Sequence, residues 1–279
     1  MRLTTVLTSC ALFSTLAATP AFAQTMPAIQ STQKYEIKTT GAPQFYSNNA
    51  RATSQVIYNA GTQTYTIRDT GSVSRTASFG PGQLVSSAGT HTIYTRTASG
   101  TTETFRVYNK GQVAAGQVNL TYSTYGHWRE STPGAGFQGA TKLSDTYFIF
   151  GTKTTAANMP RSGSAGFNGI IDGTFVNKTS TYTLGGTIGF TADWTNAKIG
   201  FTALATASAG TGSPTFGPIV GANGPINFNG SSFSANGTDG TYQMNMNGLF
   251  FGPAANELGA VFRLSGNGGT GNGAIVAKQ

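Results

Sequence analysis

Nowhere in this chain does a capped apolar repeat of helical period last ten residues. In its place stands a long succession of short runs rich in Thr, Tyr, Phe and Val, broken at close intervals by glycine, of which there are 38. β-Branched and aromatic residues suit a pleated, half-buried surface, and glycine supplies the tight turns between strands. Charged residues make up only 9% of the chain, which with so much glycine raises disorder as an alternative. The regular alternation of aromatic and β-branched positions argues against disorder for most of the length. The expected fold class is all-β.

The first residues set the compartment. Arg2 gives a short positive region, residues 6–16 are apolar, and Ala21-Phe22-Ala23 has the small-x-small form that signal peptidase cleaves. A signal peptide over residues 1–23 is expected, with the mature chain starting near Gln24 and exported to the periplasm, the cell surface or the medium. No second apolar run approaches the roughly 18–20 residues of a spanning helix. Leu7-Thr8-Ser9-Cys10 has the form of a lipoprotein signal, but few residues precede Cys10 and the apolar run continues past it, so the secretory reading prevails. Cys10 is the only cysteine, so the mature chain can form neither disulfides nor thiolate metal sites.

Turn chemistry divides the rest into two β domains. In residues 24–151, the runs 55–58 and 64–68 flank Asn59-Ala60-Gly61, and the runs 90–97 and 103–108 flank Ala98-Ser99-Gly100, both read as hairpins. Residues 118–128 and 146–151 read as further strands, and residues 79–89 and 132–139 as Gly- and Pro-bearing loops. Residues 152–163 read as a linker. Eight strands follow, at 165–177, 181–193, 196–207, 224–229, 231–236, 240–251, 257–265 and 272–278, with Gly-rich loops over 209–224 and 266–273. Eight antiparallel strands suffice to close a barrel filled by its own side chains. Its expected core is Phe175, Ile188, Phe190, Ile199, Phe201, Phe228, Phe233, Leu249, Phe251, Leu258 and Phe262.

One segment of that second domain, Gly248-Leu-Phe-Phe-Gly-Pro-Ala-Ala-Asn-Glu-Leu-Gly-Ala-Val-Phe262, reads as two strands with an organised connection. Gly252-Pro253 breaks the first strand, since proline lacks the N–H that a ladder needs. The spacing of Gly248, Phe250, Phe251, Gly252, Pro253, Glu257, Gly259 and Phe262 resembles the closing hairpin of the barrel in transferrin-binding protein B-like proteins. Ala260 stands where that pattern has a second glycine. The passage from Phe148-Ile-Phe-Gly151 through Met159-Pro160 to Gly166–Phe175 also resembles that family, where it joins a handle-like β domain to the barrel. The resemblance implies an N-terminal β handle and a C-terminal barrel in a non-lipidated, exported ligand-binding protein. It would capture haem or another iron source for an outer-membrane receptor, or engage a host or microbial protein. In this view the named motif residues are scaffold.

Catalytic chemistry is scarce. The nine acidic residues show no motif spacing, and His91 and His127 belong to no H-x-x-H or Cys/His set. Asp172, in Ile-Asp-Gly, and Asp193, before Trp194, read as turn or edge residues. No enzymatic role is expected, nor nucleic-acid binding, because the basic residues are scattered along an exported chain. Their excess lies in residues 24–160, with eleven Lys and Arg against five Asp and Glu, a half that also holds both histidines and nine of eleven tyrosines. Such a surface could receive an anionic partner. In residues 118–129 one face carries Val118, Leu120, Tyr122 and Trp128, and the other carries Tyr125, His127 and Arg129. That second face suits haem, with an imidazole or phenolate for iron and a guanidinium for a propionate. His127, Tyr125, Arg129 and His91 are therefore the candidate ligand residues, with an exposed, solvated histidine as the plain alternative for His127. Two rival readings are a structural or adhesive surface protein acting through protein contacts, and an outer-membrane barrel.

Overall fold

The computed structural model describes residues 23–37, 44–46, 53–69, 75–111, 118–136, 139–178, 180–208 and 213–279. The expected leader, with Cys10, lies outside them except for Ala23. The described residues are almost wholly β, with two 3₁₀ turns at Pro81–Gln83 and Ala156–Asn158.

The handle is one sheet. Its strands are β1 (Ala23–Ile37), β2 (Gln44–Tyr46), β3 (Thr53–Asn59), β4 (Thr64–Asp69), β5 (Arg75–Phe79), β6 (Leu84–Ser86), β7 (His91–Ala98), β8 (Thr101–Tyr108), β9 (Ser123–Thr132) and β10 (Thr141–Gly151). They lie in the order β5-β4-β3-β1-β10-β9-β8-β7-β6, with β2 added to β1. The sheet coils until β5 approaches β7, and the concave side fills with Val56, Ile67, Phe79, Phe105, Trp128 and Phe148. Phe79 and Phe105 meet at 5.2 Å across this fold, and the Arg75 guanidinium lies 4.8 Å from the Trp128 ring.

Both predicted hairpins are present, as β3–β4 and β7–β8. The central strand β1 was not anticipated. Its sequence is largely polar and contains Pro27, which argues against a central position. The proline is tolerated because pairing with β10 begins one residue later, at Ala28 opposite Phe150. The segment read as a loop around Gly80 also contains the short strand β6.

The second unit is a closed barrel of β11 (Ser164–Val176), β12 (Thr181–Asp193), β13 (Lys198–Ser208), β14 (Ile219–Asn227), β15 (Ser232–Thr238), β16 (Tyr242–Phe251), β17 (Glu257–Gly266) and β18 (Gly269–Lys278), the last pairing back to β11. The expected all-β class, with a handle and an eight-stranded antiparallel barrel, is what the chain adopts. Strand β14 starts earlier than its Gly-, Asn- and Pro-rich sequence suggested. Gly221 is there because a Cβ would come within 2.3 Å of the Phe201 ring, and Gly224 because one would reach the Ser234 carbonyl at 2.4 Å. Strand β18 likewise begins at Gly269, after a two-residue turn.

Phe175, Ile188, Phe190, Ile199, Phe201, Phe233, Leu258 and Phe262 fill the barrel interior, and Phe228 packs against that core. Leu249 and Phe251 do not. Both point outward and are buried against the handle, while Phe250 points inward. An apolar interior and outward, exposed threonines such as Thr187, Thr202 and Thr206 reverse the pattern of a membrane barrel. Gly248 leaves the space that Phe233 occupies, since a Cβ would fall 2.1 Å from its ring. Gly248→Ala should cost about 1–3 kcal/mol through overpacking, read as a lower urea midpoint at unchanged slope. A loss of a few tenths would show that the Phe233 ring swings aside freely.

Residues 152–163 lie along the barrel. Lys153 bridges to Phe251, the Thr154 hydroxyl donates to the Gly252 carbonyl at 2.7 Å, and Met159 enters the barrel core.

Candidate functional site

Along most of β9 and β10 the convex face of the handle does not meet solvent. Along β9, Gly126 and Trp128 face the handle's own core, and Tyr125, His127 and Arg129 face the other way. Sequence alternation separated Trp128 from Tyr125, His127 and Arg129, but Val118, Leu120 and Tyr122, expected beside Trp128, pack on the Tyr125 side because the chain before Ser123 is not strand. The second face, however, is covered by β17 and β18 of the barrel. Tyr108, Leu120, Tyr125, Tyr147 and Ile149 pack there against Leu249, Phe251, Val261, Ala274 and Val276.

Set into this apolar contact are three polar centres. At the first, the Glu257 carboxylate is fully buried. It accepts the backbone N–H groups of Thr121, Tyr122 and Ser123 at 2.6, 3.0 and 2.8 Å, and the Ser123 hydroxyl at 2.8 Å. Three consecutive amides turned toward one carboxylate cannot continue a ladder, so residues 118–122 are irregular and β9 begins only at Ser123.

The second centre is Asp172. It sits mid-strand in β11, not in the turn that Ile-Asp-Gly suggested. Tyr125 donates to it at 2.7 Å, Arg106 lies 3.2 Å away and His91 3.4 Å. One proton arrangement satisfies the chain: the Thr90 hydroxyl donates to His91 Nδ1 at 2.7 Å, His91 Nε2–H donates to the Tyr125 oxygen at 2.9 Å, and the Tyr125 hydroxyl donates to Asp172. Burial opposes the charge on Asp172, but these contacts outweigh it and lower its pKa to about 2.

The third centre is Asp145, opposite Arg129 in the β9–β10 register. It takes Arg129 Nε and Nη2 at 2.7 and 3.0 Å and His127 Nε2 at 2.6 Å. Burial works against its charge, yet His127 and Arg129 hold its pKa below the ordinary carboxylate range. Burial also pushes the His127 imidazole down, against the pull of Asp145. The His127 ring stacks on Tyr147 at 4.2 Å and 5°. From the barrel, Asn272 donates to the Asp145 carbonyl at 3.0 Å, and Thr174 meets the Tyr147 hydroxyl at 2.9 Å.

The four candidate ligand residues are thus near one another but engaged. His127 and Tyr125 are 5% and 2% exposed. Burial, followed by the nearby Asp172 charge, raises the Tyr125 phenol well above its usual pKa, so no phenolate is at hand. Sequence reasoning missed Arg106, Asp145, Asp172 and Asn272 as members of this network. An acidic residue inside an apolar strand run, as in Asp145-Thr-Tyr-Phe-Ile-Phe150, was the signal available. Among the described residues no group of three His, Cys, Asp or Glu gathers as a metal cage, and no helix is long and apolar enough to cross a membrane.

No protein-family profile matches the chain, and no curated protein does. Solved structures do. The intact transferrin-binding protein B designated Ap-TbpB, with N and C lobes, is 12% identical, the match covering 91% of this chain and 77% of that one at a TM-score of 0.49. A double mutant of transferrin-binding protein B from Haemophilus parasuis Hp5 is 16% identical at a TM-score of 0.46, with 85% of this chain covering 52% of the other. The isotype 1 protein from serogroup B Neisseria meningitidis is 12% identical over 93% and 77% of the two chains at a TM-score of 0.40. These are what the chain is similar to, and its all-β class and closed barrel rest on its own strand pairing.

Proposed function

We propose that this chain is an exported, non-enzymatic binding protein that engages a protein partner, with the contact made by the end of the handle at residues 79–89. The observation that carries this reading is β6. It is the last strand of the handle sheet, and it exposes two adjacent apolar side chains, Leu84 at 46% and Val85 at 66%. Large apolar groups on a short edge strand are unusual on a surface with no partner. Elsewhere in the handle, Gly126, His127 and Trp128 of β9 are buried and supply nothing to such a contact.

Haem capture is the weaker reading. The residues chosen for it are committed to Asp145 and Asp172, and the cleft beside His127 has a volume of about 210 Å³, below the roughly 300–1,000 Å³ of pockets for drug-sized ligands. Hemin added to the full chain and followed by gel filtration should leave no Soret band with the protein. A saturable band at one haem per chain would restore the haem reading.

The protein-contact reading is tested with Leu84→Ser/Val85→Asp, using Leu204→Ser/Val220→Asp on the exposed barrel wall as control. Surface proteins of neighbouring cells and of hosts would be offered, including transferrin, the ligand in the names of the similar structures. The handle variant should bind at least tenfold more weakly at an unchanged unfolding midpoint, and the barrel variant like the parent. Equal binding by the handle variant and the parent would remove β6 from the contact.

A further inference from the structure

The open end of the handle carries a group of tyrosines that lies apart from the barrel contact. Tyr58 and Tyr65 stand opposite each other in the β3–β4 ladder, one pair before its turn, and their rings lie 4.6 Å apart. Tyr94 comes to them from β7, with its ring 6.0 Å from that of Tyr65. Phe79, the strand partner of Tyr65 on β5, joins Phe105 and Phe150 as an apolar floor beneath the group.

The rings are packed, but the hydroxyls are unused. None of the three has a hydrogen-bond partner among the described residues, and none is sealed from water. Tyrosines this deeply set usually have a partner for the hydroxyl. Burial, then Tyr94 and Tyr58, raises the Tyr65 pKa, and burial, then Tyr58, raises that of Tyr94. These phenols stay protonated at neutral pH, each offering a donor and an acceptor.

The surroundings are neutral as well. The flanking turns, residues 59–64 and 80–90, contain no charged side chain. Arg96, two residues along β7 from Tyr94, is turned to Glu103 and to the Phe79 ring. Such a place has no charge with which to hold an anion, a cation or a metal. It does suit a pyranose, whose C–H face packs on an aromatic ring and whose hydroxyls pair with neutral hydroxyls. Tyr58 is half-buried and, of the aromatic rings described, meets only that of Tyr65, so it is the outermost of the group.

We propose that the tyrosine group at the open end of the handle binds a neutral sugar unit, with Tyr58 stacking on it and the hydroxyls of Tyr58, Tyr65 and Tyr94 pairing with its own. The site is distinct from the exposed Leu84 and Val85 and stands whether or not β6 binds a protein.

The test uses the full chain and the methyl glycosides of glucose, galactose, mannose and N-acetylglucosamine, followed by saturation-transfer NMR from the protein's aromatic protons to the sugar. At least one glycoside should give a saturable signal, unchanged by added salt because no charge takes part. Tyr58→Phe/Tyr65→Phe/Tyr94→Phe keeps the rings and removes only hydroxyls that bond nothing among the described residues. It should hold the parent's unfolding midpoint and bind the sugar at least tenfold more weakly. Tyr58→Ala, which takes away the stacking ring, should abolish the signal. No saturable signal with any of these glycosides at tens of millimolar, or parent affinity in the triple phenylalanine variant, would overturn the proposal. No protein partner enters the measurement, so its failure leaves the β6 reading intact, and failure of the β6 reading leaves the sugar site intact.

Discussion

Glu257→Ala is expected to destabilise the protein by about 4 kcal/mol. The change removes one carboxylate but leaves three backbone N–H groups and a hydroxyl without it, those of Ser123 buried and those of Thr121 and Tyr122 part-buried, and a donor that water cannot reach costs about 1–3 kcal/mol. Partial rescue by a trapped water keeps the total below the sum. Glu257→Gln should lose about half as much, because one amide oxygen still accepts while the amide nitrogen is set against a backbone N–H. Urea unfolding would read both. The Ala variant should also resolve two transitions, since Glu257 ties residues 121–123 of the handle to the barrel. An Ala variant within 1 kcal/mol of the parent, unfolding in one step, would show that the apolar contact alone joins the units.

The second large effect is acid lability. Asp172 has a folded pKa of about 2, against roughly 3.9 for an unfolded aspartate. A carboxylate whose pKa is depressed on folding contributes stability above the unfolded value and loses it as pH falls through the folded one. For Asp172 this is about 2 kcal/mol, present at neutral pH and lost between about pH 4 and pH 2. Asp145 is shifted in the same direction and deepens the loss. Asp172→Asn should therefore lower stability at pH 7 and flatten the curve below pH 4. A variant whose stability parallels the parent from pH 7 to pH 2 would mean that Asp172 is ordinary in the folded state.

How much could be read in advance depends on what each strand faces. Along β12 and β13 one face is buried and the other carries exposed threonine, so alternation alone placed Ile188, Phe190, Ile199 and Phe201 in the barrel core. Along β16 both faces are apolar at its end, because Phe250 fills the barrel and Leu249 and Phe251 meet the handle. No period-two pattern can then choose the inward set. The same limit governed the candidate ligand residues. Alternation correctly put Tyr125, His127 and Arg129 on one side of β9, but the identity of what covers that side resides in β17 and β18, more than a hundred residues away. A histidine facing solvent and a histidine facing a second domain look alike in sequence. Strand β1 was hidden for a different reason: its inward positions are Met26, Ala28 and Gln30, a weak signal interrupted by Pro27.

The handle sheet is joined at its middle, and the barrel closed at its seam, by partners remote in the chain. Strand β1 joins β10 through pairs such as Ala28 with Phe150, and β11 joins β18 through pairs such as Asn168 with Lys278. Neither pairing can begin before its late partner, β10 in the handle and β18 in the barrel, has been made. Ladders of this separation also form slowly, because the intervening loop must be ordered before any contact rewards it. The topology therefore lets the handle sheet join once β10 exists and holds back the barrel seam until β18 does.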